Sequence, residues 1–298
     1  MFQPFWMLAA AVLFTLMAAC TKWGAADYGT FALVFWRSLI GLAALGVWIA
    51  ASGRTIRTRY FLGHVKRSFI GTSSLVIWFW VLGRLPLETA MTLNYTSPLY
   101  MAAYITLLHL RRGLPADWPL SGSIIAGFLG VLLVLQPSVA AGQHTAVLIG
   151  LSCGFLSCWA MLQVRELSAM HEPTWRIVFY FTLMGVIAGL CGSFFEPRGL
   201  AVIPTFRGIA PLLGVGLFGI LAQLCLTRAF GGGNILLTSA LQFSAIVFSA
   251  IMSAVAFGSP ISASAVFGIA LIIAAGTAAT YFSRRGWEKL EGDAADRS

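Results

Sequence analysis

The sequence predicts an all-α polytopic membrane protein, with ten transmembrane helices arranged as two inverted five-helix repeats. Three observations predict it. Hydrophobic residues are 59% of the 298 and charged residues only 10%, with a mean hydropathy of +0.86. A soluble domain carries about 25% charged residues, so a soluble globular fold is excluded. The apolar residues gather into ten runs, each near the ~20 residues needed to cross a hydrocarbon core of ~30 Å. Finally, Glu88 to Gly130 lies over Asn234 to Gly276 without a gap, at an offset of 146. Five spans per half is an odd number, so the second half enters the membrane in the opposite sense to the first, as in inverted-repeat carriers.

The first run, 5–21, starts almost without a basic flank and is followed by further spans, so it reads as a transmembrane helix rather than a cleaved leader. The second, 31–51, holds Arg37, the one basic residue well inside a span. Snorkelling outward or bonding carbonyls is the expected role of Arg37, and meeting a substrate carboxylate is the alternative. Lys66 and Arg67 are assigned to the link before the third run, 68–85, which carries Trp78 and Trp80. The fourth run, 88–110, is interrupted near the midplane by Pro98. Proline lacks an N–H and its ring clashes with the carbonyl four residues back, which frees the Asn94 acceptor where no water is present. Asn94, Tyr95, Thr96 and Ser97 crowd polar groups into the same turns, so this stretch reads as one wall of a central site. A kink that only shapes packing is the competing reading.

The fifth run, 119–137, closes an N-terminal half of residues 1–140. The C-terminal half, 141–298, begins with runs 146–164, which holds Trp159 and Gln163, then 176–195 and 209–228. Gly231 to Gly233 then forms a turn or hinge. The ninth run, 234–257, repeats the fourth, setting Ser244 against Pro98 with Gln242 nearby. The tenth, 263–283, precedes a short basic tail.

Basic residues fall 14 to 4 on one side of this topology, Arg37 aside, so both termini are expected in the cytoplasm. That distribution accounts for the net charge of +9 without invoking nucleic acid. The partners expected are the lipid bilayer and a small-molecule substrate, and nothing specifies an oligomeric state. The five cysteines and four histidines are scattered, with no metal-ligand spacing and no nucleophile–base cluster. An enzyme, a metal and a cofactor are therefore not expected. All ten acidic residues fall in links, tails or segment ends, which disfavours a proton antiporter built on an embedded carboxylate.

Trp78, Trp80, Tyr95, Tyr100 and Trp159 lie within their runs rather than at the membrane interfaces, where Trp and Tyr usually gather. Such rings could stack a substrate or hold its ammonium by cation–π attraction. The candidate substrate-binding set is Trp78, Asn94, Tyr95, Pro98, Trp159, Gln242 and Ser244. Ten spans in two halves, each closing with an apolar helix pair that carries two glycines eight apart (Gly122 and Gly130, Gly268 and Gly276), resemble the EamA-type members of the drug/metabolite transporter superfamily. Residues 78–100, WFWVLGRLPLETAMTLNYTSPLY, resemble the aromatic amino acid exporters of the YddG type. The resemblance implies an inner-membrane secondary transporter that exports small metabolites, amino acids including aromatic ones, by alternating access at a site between its halves. A multidrug or quaternary-cation carrier of the same superfamily is the alternative, although it usually requires a buried carboxylate.

Overall fold

The computed structural model describes the backbone of residues 3–25, 27–82, 84–85, 87–113, 115–137, 142–257 and 262–295. The side chains of residues 3, 82, 87–88, 253–257 and 284–295 are not described, which leaves that of Glu88 and the basic tail outside the account. The boundary expected at 140/141 also falls outside the described residues. Within them every regular element is a helix: α1 Gln3–Gly24, α2 Thr30–Ala51, α3 Phe61–Leu82, α4 Leu87–Asn94, α5 Ser97–Arg111, α6 Trp118–Leu135, α7 His144–Ala169, α8 Thr174–Ser193, α9 Phe206–Gly231, α10 Ile235–Leu241, α11 Ser244–Phe257 and α12 Ala263–Ala295.

Among the described residues eight helical stretches are long and apolar enough to cross a membrane, the stretch Ile235–Met252 counted as one. Large apolar side chains stand outside the bundle, with Val47 71% exposed, Leu148 68% and Phe267 67%. In water that surface would be an aggregation hazard; against lipid tails it is matched.

Local chemistry sets the helix ends. Asp117 accepts from the Leu120 N–H at 3.3 Å, with Pro119 in the first turn of α6. Asn234 accepts from the N–H groups of Leu236 and Leu237 at 2.9 and 3.2 Å and starts α10. The start of α2 is capped from a distance: Glu196 Oε1 and Oε2 accept from the Phe31 and Ala32 N–H groups at 2.7 and 3.1 Å. A carboxylate there also complements the positive end of the helix dipole.

Three expected spans differ from the sequence reading. The third begins at Phe61, not 68, so Lys66 and Arg67 belong to α3 and not to the link. The fourth is two helices parted at Tyr95 and Thr96, and the ninth parts in the same way between Leu241 and Ser244. Pro98 accordingly sits in the first turn of α5, where its missing N–H breaks no helical bond.

α1 packs on α9 as α7 packs on α3, and α2 touches α9 as α8 touches α3. The pairs α2 with α8 and α6 with α12 complete the larger contacts, and that set is unchanged when α1–α6 and α7–α12 are exchanged. α6 and α12 approach most closely at two glycines. A Cβ built on Gly130 would lie 2.8 Å from the Gly268 carbonyl oxygen, and one built on Gly268 would lie 2.6 Å from that of Gly130. Small residues at such a crossing let two backbones meet where lipid supplies no hydrophobic drive.

Candidate functional site

The helix breaks border a central cavity of about 160 Å³, close to the size of an apolar cavity that admits a benzene ring. α4 ends at Asn94, which lines it together with Tyr95 and Ser97, while Gln242 from the second break lines it from the other half. Thr96 does not turn toward a ligand: its hydroxyl donates to the Leu93 carbonyl at 2.6 Å and caps the interrupted turn. α3 contributes Trp78, whose buried Nε1 has no hydrogen-bond partner among the described residues. Trp78 also lines a second space of about 350 Å³ near Lys22, Tyr28 and Gly29, so the indole stands between the central cavity and that vestibule.

Two arginines dominate the electrostatics. Arg37 of α2 is 4% exposed and Arg67 of α3 is 1% exposed, and both line the cavity. Their guanidinium carbons lie 5.7 and 4.5 Å from the centroid of one ring, Phe181 of α8. Arg37 Nε makes a long contact to Met17 Sδ at 3.4 Å. Nε and Nη1 of Arg67 have no acceptor among the described residues. The Arg67 fork folds back over Gly71 one turn on, where any Cβ would overlap Nη1. No described acidic side chain lines this cavity.

Of the sequence-derived candidates, the structure brings Trp78, Asn94, Tyr95 and Gln242 together. Three fall elsewhere. Trp159 is 41% exposed on the outer face of α7, in a separate groove with Tyr100, because the depth of a residue in a span does not fix which way it faces. Pro98 is buried beside the cavity without lining it. Ser244 donates its hydroxyl to the Leu241 carbonyl at 2.7 Å and serves the second break rather than the cavity wall. Arg37 turns inward instead of snorkelling. Arg67 was missed because three polar residues, His64, Lys66 and Arg67, made the first turns of α3 look like a link. The triad of buried His64, Lys66 exposed and buried Arg67 shows the signal that was available, a helix with one charged face and one inward-pointing arginine.

A second polar cluster closes the end of the bundle away from the vestibule. Glu172, in the turn between α7 and α8, accepts from Thr58 Oγ1 at 2.6 Å and from Arg176 Nη1 at 2.9 Å, and meets His64 Nε2 at 3.2 Å. Arg176 and Tyr180 also hold the α2–α3 link through the carbonyls of Thr55 and Ile56. Burial alone would raise the Glu172 carboxyl, but the donations from Thr58, Arg176 and His64 outweigh it and hold it below its ordinary value.

Residues 1–136 match the model of the EamA-like transporter family. The pseudopaline exporter of Pseudomonas aeruginosa is 26% identical over 241 residues, 81% of this chain and 82% of that protein. A riboflavin transporter of Rhizobium johnstonii is 27% identical over 77% of this chain and 74% of its own. An uncharacterized transporter of Helicobacter pylori is 23% identical over 91% of both chains. The crystal structure of another protein shares the fold, with a TM-score of 0.80, 20% identity and coverage of 95% of this chain and 98% of the other.

Proposed function

We propose that this chain, whose residues 1–136 match the EamA-like transporter family, is a ten-span secondary transporter of the drug/metabolite transporter superfamily for small amphipathic metabolites, of the amino acid kind and including aromatic ones. In this reading α3 and the pair α4–α5 are the two spans beyond the eight that length and hydropathy identify, and α1–α6 and α7–α12 are the inverted halves. The exchange symmetry of the helix contacts supports that division. Moving Lys66 and Arg67 into α3 leaves the basic residues 12 to 4, which still favours cytoplasmic termini in an inner membrane.

The observation that carries the proposal is the cavity at the two helix breaks, walled by both halves: Asn94 and Tyr95 from one, Gln223 and Gln242 from the other. Such breaks put backbone and amide groups at the midplane, where a carrier binds its cargo between halves that rock. Trp78, Asn94, Tyr95 and Gln242 are the binding residues in this account, with Arg37 and Arg67 added. Pro98 and Ser244 shape the breaks, and Trp159 is set aside. Export is supported by the name of the Pseudomonas relative, and a quaternary-cation cargo is disfavoured by two buried guanidinium groups.

The test is counterflow of radiolabelled phenylalanine in proteoliposomes without a pH gradient, competed by phenylalanine or alanine. Trp78→Ala should weaken the aromatic competitor about five- to 150-fold, for ~1 to 3 kcal/mol of lost stacking, and leave alanine little changed. Equal losses for both would reject the aromatic site.

A further inference from the structure

We infer that the cargo of this cavity is an organic dianion with an apolar body, held by Arg37 and Arg67 together. The inference rests on the carrier reading above; it keeps the amphipathic, ring-bearing cargo and replaces the zwitterionic amino acid of that reading by a doubly acidic molecule. A buried charge is expensive unless paired, and proteins normally supply the partner themselves. Here they do not. Arg67 is 1% exposed with Nε and Nη1 unbonded among the described residues, and Arg37 offers its Nε only to a thioether sulfur at 3.4 Å.

No described carboxylate lines the cavity, and three are committed elsewhere. Glu172 is held by Arg176 and Thr58, Glu196 caps α2, and Asp117 caps α6. What else lines the cavity is neutral: an unpartnered indole N–H from Trp78, the amides of Asn94, Gln223 and Gln242, and apolar side chains including Phe181. A pair of forks beside one ring, with an indole donor nearby, matches acidic groups attached to an apolar frame. A zwitterion would answer one positive charge and add another through its ammonium. Two acidic charges answer both arginines.

The purified full-length protein can be titrated at neutral pH with four probes that share a phenyl ring. Benzylsuccinate and phenyl phosphate are dianions, on two carboxylates and one phosphoryl group respectively; 3-phenylpropionate carries one charge; L-phenylalanine is a zwitterion. One charge-assisted pair gained predicts that the better dianion binds about 10- to 100-fold tighter than 3-phenylpropionate, with phenylalanine weaker still. The winning dianion identifies the acidic group. Arg67→Gln should erase the preference while the empty protein melts no lower, since an unpaired buried charge has gone. Arg67→Lys keeps the charge but loses the fork, and should retain an intermediate preference. Equal binding of all probes, or a preference unchanged in Arg67→Gln, overturns the dianion inference and leaves the carrier reading intact. Binding of none overturns both.

Discussion

Replacing Gly268 by alanine should destabilise the protein, whereas the same change at Gly122 should not, although the sequence presents both as members of one glycine pattern. A Cβ at Gly268 would sit 2.6 Å from the Gly130 carbonyl oxygen, 2.8 Å from Val134 Cγ2 and 2.9 Å from Leu133 Cβ. The first contact is with backbone, which cannot swing aside as a side chain can, so α6 and α12 must separate. Overpacking of this kind costs about 1 to 3 kcal/mol. Gly122 is exposed, with nothing within 4 Å of its added Cβ. There alanine brings only its better helix propensity, up to ~1 kcal/mol in favour of the fold. Thermal unfolding of the two detergent-purified variants, followed by loss of the monodisperse peak, should place Gly268→Ala several degrees below wild type and Gly122→Ala level with or above it. Equal melting of both variants would show that the two backbones do not touch as described.

Glu172 sets a pH dependence. Its folded pKa is depressed, so its stabilisation is complete above the ordinary carboxylate value of ~4.3 and is lost as pH falls through the folded value. The gap in melting temperature between wild type and Glu172→Gln should be widest near neutrality and close on acidification; a gap that widens below pH ~4 contradicts it. Glu196→Ala strips two N–H groups at the start of α2 of their acceptor, and should cost about 1 to 2 kcal/mol in unfolding measurements. No change on that substitution would mean water replaces the carboxylate fully.

Eight spans were legible because lipid demands long apolar runs, and a single residue, Pro98, was enough to locate a helix break. The 146-residue offset set Ser244 against Pro98 but named no second break; the one at Leu241–Ser244 has no proline to announce it. What the pattern could not show was direction. Trp78 and Trp159 both lie within apolar runs, yet one faces the cavity and the other an outer groove, and only the packing of α3 on α7 and α8 decides this. Charge misled twice for one reason. Arg37 and Arg67 raise the transfer cost of their segments, so a hydropathy reading pushes them outward or out of the helix. Their inward rotamers exist because Phe181 and Gly71, far apart in sequence, leave a place for them.

The two buried arginines also make the empty and the loaded protein electrically different objects. Filled by a dianion, the site is neutral and crosses the membrane field without doing work; empty, it carries two positive charges back. A membrane that is negative inside pulls those charges toward the cytoplasm, with about 2.3 kcal/mol available per charge per 100 mV for a full crossing. In an exporter of the kind proposed, voltage would speed the return of the vacant site and so drive outward turnover. In potassium-loaded liposomes with valinomycin, reversing the imposed potential should reverse that bias; rates indifferent to voltage would mean the arginines do not travel through the field.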